Sequence, residues 1–228
     1  METDRKEALR YLGYGKQPAD EAVSRLLEEC IEELEKAAVP RFLMREFPLK
    51  MQAPDGLDFG GYRTKSLNLS KNLAGCEKAL FMSATLGAGA DRLLTKYGKL
   101  HVAKAAVMQA AAAAMTEAYC NELNGRWRED YKKGGWFLRP RFSPGYGDFS
   151  LSFQKEILGA LEAEKRIGIT LTDGFLMMPS KSVTAVIGIS KEESPCGPSG
   201  CETCEKKDCT FRRQHGNTGR DQKKETYF

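Results

Sequence analysis

The sequence predicts an α+β protein built from an antiparallel sheet and long helices, and three observations carry that prediction. Val102 to Tyr131 is rich in alanine, has no proline and only Gly125 to interrupt it, which is close to the highest helix propensity obtainable. Pro18 to Ala37 carries Val23, Leu26, Leu27, Cys30, Ile31 and Leu34 as one apolar stripe of helical period, with glutamates on the opposite side. Apolar runs of strand length recur at Arg41 to Phe47, Leu57 to Thr64, Lys78 to Leu86 and Ser182 to Ile189. A chain of 228 residues with 41% hydrophobic content is long enough to bury a substantial core.

Taken in order, Asp4 to Leu12 has helical spacing through Ala8, Leu9 and Leu12, and Gly13 supplies a stop. In the second helix Cys30 falls within the apolar stripe, so it is expected as a buried structural thiol. Ala53-Pro-Asp-Gly56 is a turn signal between the first two strand-like runs, consistent with a hairpin. Ser70 is expected to cap a short helix carrying Leu73 and Cys76, and Lys78 to Leu86 is apolar enough for an interior strand.

Gly87-Ala-Gly89-Ala-Asp91 lacks the third glycine and the Lys-Ser/Thr of the phosphate loops and reads as a strand-to-helix turn. The alanine-rich helix follows. His101 is expected as a surface or capping residue at its start, and Glu117 and Glu122 lie beyond the smallest side chains. Trp136 to Phe142 reads as an extended segment, and Leu151 to Lys165 as a helix with Phe153, Ile157, Leu158 and Leu161 on one stripe. Ile167 to Leu171 and Ser182 to Ile189 read as strands, with Met177 and Met178 expected in packing. The expected domain organisation is one α+β domain over residues 1–190, followed by a cysteine-rich segment and a polar basic tail over 191–228.

Composition excludes several function classes. The net charge is +4, but residues 205–228 hold seven Lys/Arg against four Asp/Glu, so this stretch alone supplies +3 and the rest is nearly neutral. A nucleic-acid binder needs a basic face on its folded part, so no nucleic-acid partner is expected. No signal peptide or membrane-spanning run is apparent, which points to a cytoplasmic protein without a membrane partner. With only two histidines there is no His-rich metal set, no Gly-x-Ser-x-Gly elbow appears, and no catalytic residue is assigned.

The richest stretch is Arg139-Pro-Arg-Phe-Ser-Pro-Gly-Tyr-Gly-Asp148. Pro144 fixes its own φ and keeps Ser143 extended, Gly145 and Gly147 permit positive φ, and Tyr146 stands between them as an exposed ring. Such a loop presents backbone groups, guanidiniums and one aromatic face to a small polar ligand.

Arg141-Phe-Ser-Pro-Gly-Tyr146 resembles the Arg-Pro-Ala-Pro-Gly-Tyr loop of the reactivation domain of cobalamin-dependent methionine synthase, which binds S-adenosylmethionine. Gly168-Ile-Thr-Leu-Thr-Asp-Gly-Phe-Leu-Met-Met-Pro-Ser-Lys-Ser-Val183 is similar to that domain's Gly-x-x-Leu-Thr-Glu-Ser-x-x-Met-x-Pro-x-x-Ser-Val segment, and Thr116-Glu-Ala-Tyr119 resembles its Ala-Glu-Ala-Phe. The resemblance runs from about Lys78 to Ile189, with residues 1–76 poorly matched, and suggests a free-standing relative.

The resemblance implies a binding set of Glu117, Arg141, Ser143, Pro144, Gly145 and Tyr146. Arg141 would take the ligand carboxylate through parallel N–H bonds, Glu117 the positive end, and the turn with Tyr146 the purine. It also implies a repair role. One electron from a donor such as flavodoxin or ferredoxin and one methyl group from S-adenosylmethionine return cob(II)alamin to methylcobalamin on a methionine synthase lacking its own activation domain, or on another corrinoid protein. The chain departs from the family in having Gly147-Asp148 for Pro-Ala and Asp173-Gly174 for Glu-Ser, and nothing matches a further carboxylate from the start of the family domain.

Four of the seven cysteines, Cys196, Cys201, Cys204 and Cys209, crowd into fourteen positions broken by Gly197, Pro198 and Gly200. Such spacing suits a four-thiolate centre, iron-sulfur or zinc, and supports an alternative reading as a metal-cluster redox or docking module for a corrinoid protein.

Overall fold

The computed structural model describes residues 2–14 and 17–193. Two capped helices open the chain, α1 (Arg5–Tyr11) and α2 (Glu21–Ala37). Asp4 Oδ1 accepts from the amides of Lys6 and Glu7, and Asp20 Oδ1 from that of Val23 at 2.8 Å, so each helix begins where an aspartate satisfies its first free N–H groups. Strands β1 (Arg41–Pro48), β2 (Lys50–Gln52), β3 (Gly56–Phe59) and β4 (Tyr62–Lys65) follow.

The turn after Ala53 does make a hairpin, but between β2 and β3, and the Leu57 to Thr64 run is itself two strands that reverse at Gly60-Gly61, with φ of +68° and +108°. β1 leaves this ribbon and pairs along its whole length with β5 (Lys78–Thr85), Arg41 opposite Thr85 and Pro48 opposite Lys78. The main sheet has the order β1-β5-β9-β6, all antiparallel, with β9 (Ser182–Ser190) and β6 (Phe137–Leu138) completing it. The α+β class with an antiparallel sheet is therefore the observed architecture.

Alternation along the two central strands divides the core into two layers. Leu80, Met82 and Ala84 of β5 and Ala185, Ile187 and Ile189 of β9 face one cluster with α1, α2 and α5 (Val102–Lys133). Ala79, Phe81 and Val186 face the other, where Phe47, Phe59 and Phe153 gather around Phe81 and Phe149 packs on Phe153. Both strands are buried on both faces, which is why they read as continuous apolar runs.

α5 has 32 residues, about 48 Å at 1.5 Å per residue, and its alanines at 110–112 and 114 let the sheet and helices α1, α2 and α4 (Ala88–Leu100) pack closely against it. His101 caps it, Nδ1 accepting from the Lys104 amide at 3.2 Å, and Cys30 is fully buried. Gly89 serves close approach: a Cβ there would lie 1.8 Å from the Ala37 carbonyl oxygen at the end of α2.

Two helical expectations shift. α3 (Leu67–Asn72) is capped by Ser66, whose Oγ accepts from the Leu69 amide at 3.0 Å, whereas Ser70 is buried inside the helix. The run from Leu151 divides into a 3-10 turn (Leu151–Phe153), α6 (Gln154–Ala160) and α7 (Ala163–Ile167), with Glu162 in the left-handed region between the last two. Arg45 Nη1 donates to the Ala160 carbonyl at 3.2 Å, satisfying an oxygen that a continuous helix would have used. Phe153, Ile157, Leu158 and Leu161 are all buried as their stripe requires. Of the run from Ile167 to Leu171, only Thr170–Leu171 is extended, as β7, paired with β8 (Met177–Met178).

Candidate functional site

The stretch after α5 is extended, as its composition suggests, and runs along the outer edge of β9. The Arg139 amide donates to the Gly188 carbonyl at 2.8 Å, and Phe142 and Val186 exchange two hydrogen bonds of 2.9 Å. Pro140, which has no N–H, fits such an edge. Arg139 is occupied structurally, its Nη2 donating to the Ala74 carbonyl at 3.1 Å. Phe142 packs into the second core cluster, and Arg141 reaches α5.

There Arg141 Nη2 donates to Glu117 Oε2 at 3.1 Å and to Asn121 Oδ1 at 3.0 Å. Glu117 and Asn121 are one helical turn apart and share a face. The pair is sheltered, with 18% of the Arg141 side chain and 32% of the Glu117 side chain exposed. Arg141 Nη1 is buried with no hydrogen-bond partner. Beneath them Cys120 is fully buried, and burial pushes its thiol up to about 11 against the opposing pull of Arg141.

α1 closes one side. Its Tyr11 hydroxyl is raised above the ordinary tyrosine range, first by burial and then by the negative charges of Glu7 in its own helix and Glu117 of α5. Sequence reasoning missed Asn121 and Tyr11. The i,i+4 spacing from Glu117 was signal enough for Asn121; Tyr11 depends on how α1 packs on α5.

Two residues beyond Arg141 the chain makes a β-turn, Ser143-Pro144-Gly145-Tyr146, with the Tyr146 amide donating to the Ser143 carbonyl at 3.2 Å. Gly145 has φ of +93°, as the third residue of a Pro-Gly turn of type II requires. Tyr146 is 68% exposed. The loop is anchored behind by Asp148, whose carboxylate accepts from Ser66 Oγ at 2.5 Å and from the amides of Leu67 and Asn68 at 2.7 and 3.1 Å. These bonds hold its carboxyl below the usual range, the Ser66 bond contributing most. Gly147, at φ of +56°, lies against Asn68, whose Nδ2 would be 2.2 Å from an added Cβ. The Gly-Asp departure thus has a local purpose, docking the loop on α3.

The fold brings Arg141 and Glu117 into contact and sets the 143–146 turn beside them on the same segment. Glu122 instead pairs with Arg126 along the outer face of α5. Asp173 and Gly174 sit in the tight turn between β7 and β8, closed by the Leu176 amide on Thr172 Oγ1. Two surface clefts lie away from this locus. One of about 500 Å³ is lined by Asp91, Arg92, Thr95, Met178 and Pro179, and one of about 420 Å³ by Lys155, Leu158, Glu162 and Leu171. Cys196, Cys201, Cys204 and Cys209 lie outside the described residues. Among the described residues no group of three or more His, Cys, Asp or Glu is placed to hold a metal ion, and no helix is long and apolar enough to cross a membrane.

Residues 74–196, 123 of the 228, match the sequence model of the vitamin B12 dependent methionine synthase activation domain. The chain belongs to that family. Among solved structures, this activation-domain relative is similar to the crystal structure of the MetH reactivation domain bound to AdoHcy, with a TM-score of 0.60, 18% sequence identity, and coverage of 83% of this chain and 75% of the other. That likeness concerns the fold and extends over more of the chain than the 123 residues matched in sequence. Comparison with curated protein sequences returns no match.

Proposed function

We propose that this activation-domain protein binds S-adenosylmethionine through Arg141, Glu117 and the Ser143–Tyr146 turn, and presents it to the corrinoid of a cobalamin-dependent methionine synthase. The observation that carries the reading is the state of Arg141: one guanidinium nitrogen is engaged by two acceptors on α5, while the other is buried without a partner. A guanidinium held on one side by α5 suits a ligand carboxylate, which it can take through parallel N–H bonds. The solved reactivation domain of similar fold has AdoHcy bound, which carries the same amino-acid and nucleoside parts.

S-adenosylmethionine supplies an electrophilic methyl group when bound. The chain's own residues bind and orient. Arg141 would hold the carboxylate, Glu117 would take the positive end, and the turn with the exposed Tyr146 ring would offer backbone groups and a π-face to the purine. The overall change on the partner consumes one electron from an external donor and one methyl group, turning cob(II)alamin into methylcobalamin and leaving S-adenosylhomocysteine. The reactive centre belongs to the cofactor; this protein contributes positioning.

The test is reconstitution. The chain is mixed with oxidised methionine synthase lacking its activation domain, S-adenosylmethionine and a low-potential electron donor, and methyl transfer to homocysteine is followed. Recovery only in the presence of this chain is the expected result. Equal recovery without it, or none with it, counts against the assignment.

A further inference from the structure

The double engagement of one Arg141 nitrogen leads past the binding set. Glu117 and Asn121 both accept from Nη2, at 3.1 and 3.0 Å, yet only one of the two is charged. Resting on the reading above, we propose that Asn121 is a positioning residue that sets the charge of the site. It holds the guanidinium in place through Nη2 while leaving Arg141 enough positive character to accept a carboxylate.

The physical case has two parts. Glu117 cannot serve the ligand's positive end while committed to Arg141, so on binding its attraction to Arg141 is shared or released. Asn121, one turn further along the same helix, then keeps the guanidinium in register. It does so without charge. An aspartate of the same shape would place two negative charges about 3 Å from a single positive one, and the incoming carboxylate would meet a site of net negative charge. The residue thereby sorts ligands by their amino-acid end. A nucleoside without that end has no carboxylate to be repelled or retained.

Asn121 is exposed, so its replacement opens no cavity. The test is calorimetry on the full chain with two ligands, S-adenosylhomocysteine and 5′-methylthioadenosine, the latter sharing the thioether nucleoside but lacking the amino-acid end. For S-adenosylhomocysteine, Asn121→Asp is expected to weaken binding about ten-fold or more, and Asn121→Ala by a smaller factor, because alanine removes the restraint without adding charge. Binding of 5′-methylthioadenosine should stay within about two-fold of the native value in both variants.

A purely structural role would lower both ligands together, and that outcome overturns the proposal, as does an Asn121→Asp chain that holds S-adenosylhomocysteine like the native one. Failure of the native chain to bind S-adenosylhomocysteine at all overturns the site assignment itself and the proposal with it.

Discussion

Arg141 and Glu117 meet across a gap of twenty-four residues, Nη2 to Oε2 at 3.1 Å, because the segment after α5 doubles back along the edge of β9 and passes beside the middle of the same helix. The two groups that the proposed function assigns to opposite ends of a zwitterion grip one another. Under the proposed binding mode a ligand offering both charges would displace the pair with least loss, which would favour an amino acid over a simple carboxylate.

Arg141→Ala is expected to weaken S-adenosylhomocysteine binding by about 2–4 kcal/mol, since the variant strands a carboxylate that had a charge-assisted partner. Isothermal calorimetry measures it. An unchanged Kd in a well-folded variant would remove Arg141 from the site.

Asp148 ties the loop to the start of α3, and its pKa is depressed chiefly by the Ser66 hydroxyl and then by the amides of Asn68 and Leu67. A depressed carboxylate stabilises the fold above its unfolded value, about 3.9, and that contribution disappears as pH falls through the folded value. Asp148→Asn should lower Tm at pH 7, and the gap from the native protein should narrow in scans below about pH 4. A constant gap across that range would show that the charge plays no part.

Gly89→Ala is expected to destabilise by about 3 kcal/mol or more, because its Cβ would fall 1.8 Å from the Ala37 carbonyl and α4 would have to move away from α2. Gly98, in the same helix with nothing near its Cβ position, is the control. Gly98→Ala should be neutral or stabilising by about 0.5–1 kcal/mol, and urea denaturation of both variants gives the comparison.

Cys30 and Cys120 are buried thiols, each pushed up to about 11 by burial. Both should resist a thiol reagent at pH 8 in the native state and react on unfolding. Only the unfolded chain releases these protons between the ordinary thiol range and about 11, so the folded state loses stability as pH climbs through that window. Labelling of either residue at the native rate of an exposed thiol would contradict their placement.

Much of this protein was legible in the chain itself. The helical period of Val23 to Leu34, the alanines of α5 and the apolar runs of β5 and β9 specify their elements locally, since propensity and pattern agree at each. Pro144-Gly145 specifies its turn for the same reason: one residue has a restricted φ and the next tolerates φ of +93°. Arg141 and Glu117 could be picked out through the family motifs that contain them.

What only the tertiary structure decided is how distant segments share partners. β1 pairs with β5 and not with the ribbon that follows it, which puts Leu43 and Phe47 into the second core cluster beside Phe81. Ser66, not Ser70, caps α3, because Asp148 from eighty-two residues away gathers its first amides. Tyr11 feels the charge of Glu117 through the packing of α1 on α5, which no local pattern encodes. A side chain's neighbours depend on long-range closure of the chain; its backbone preference does not.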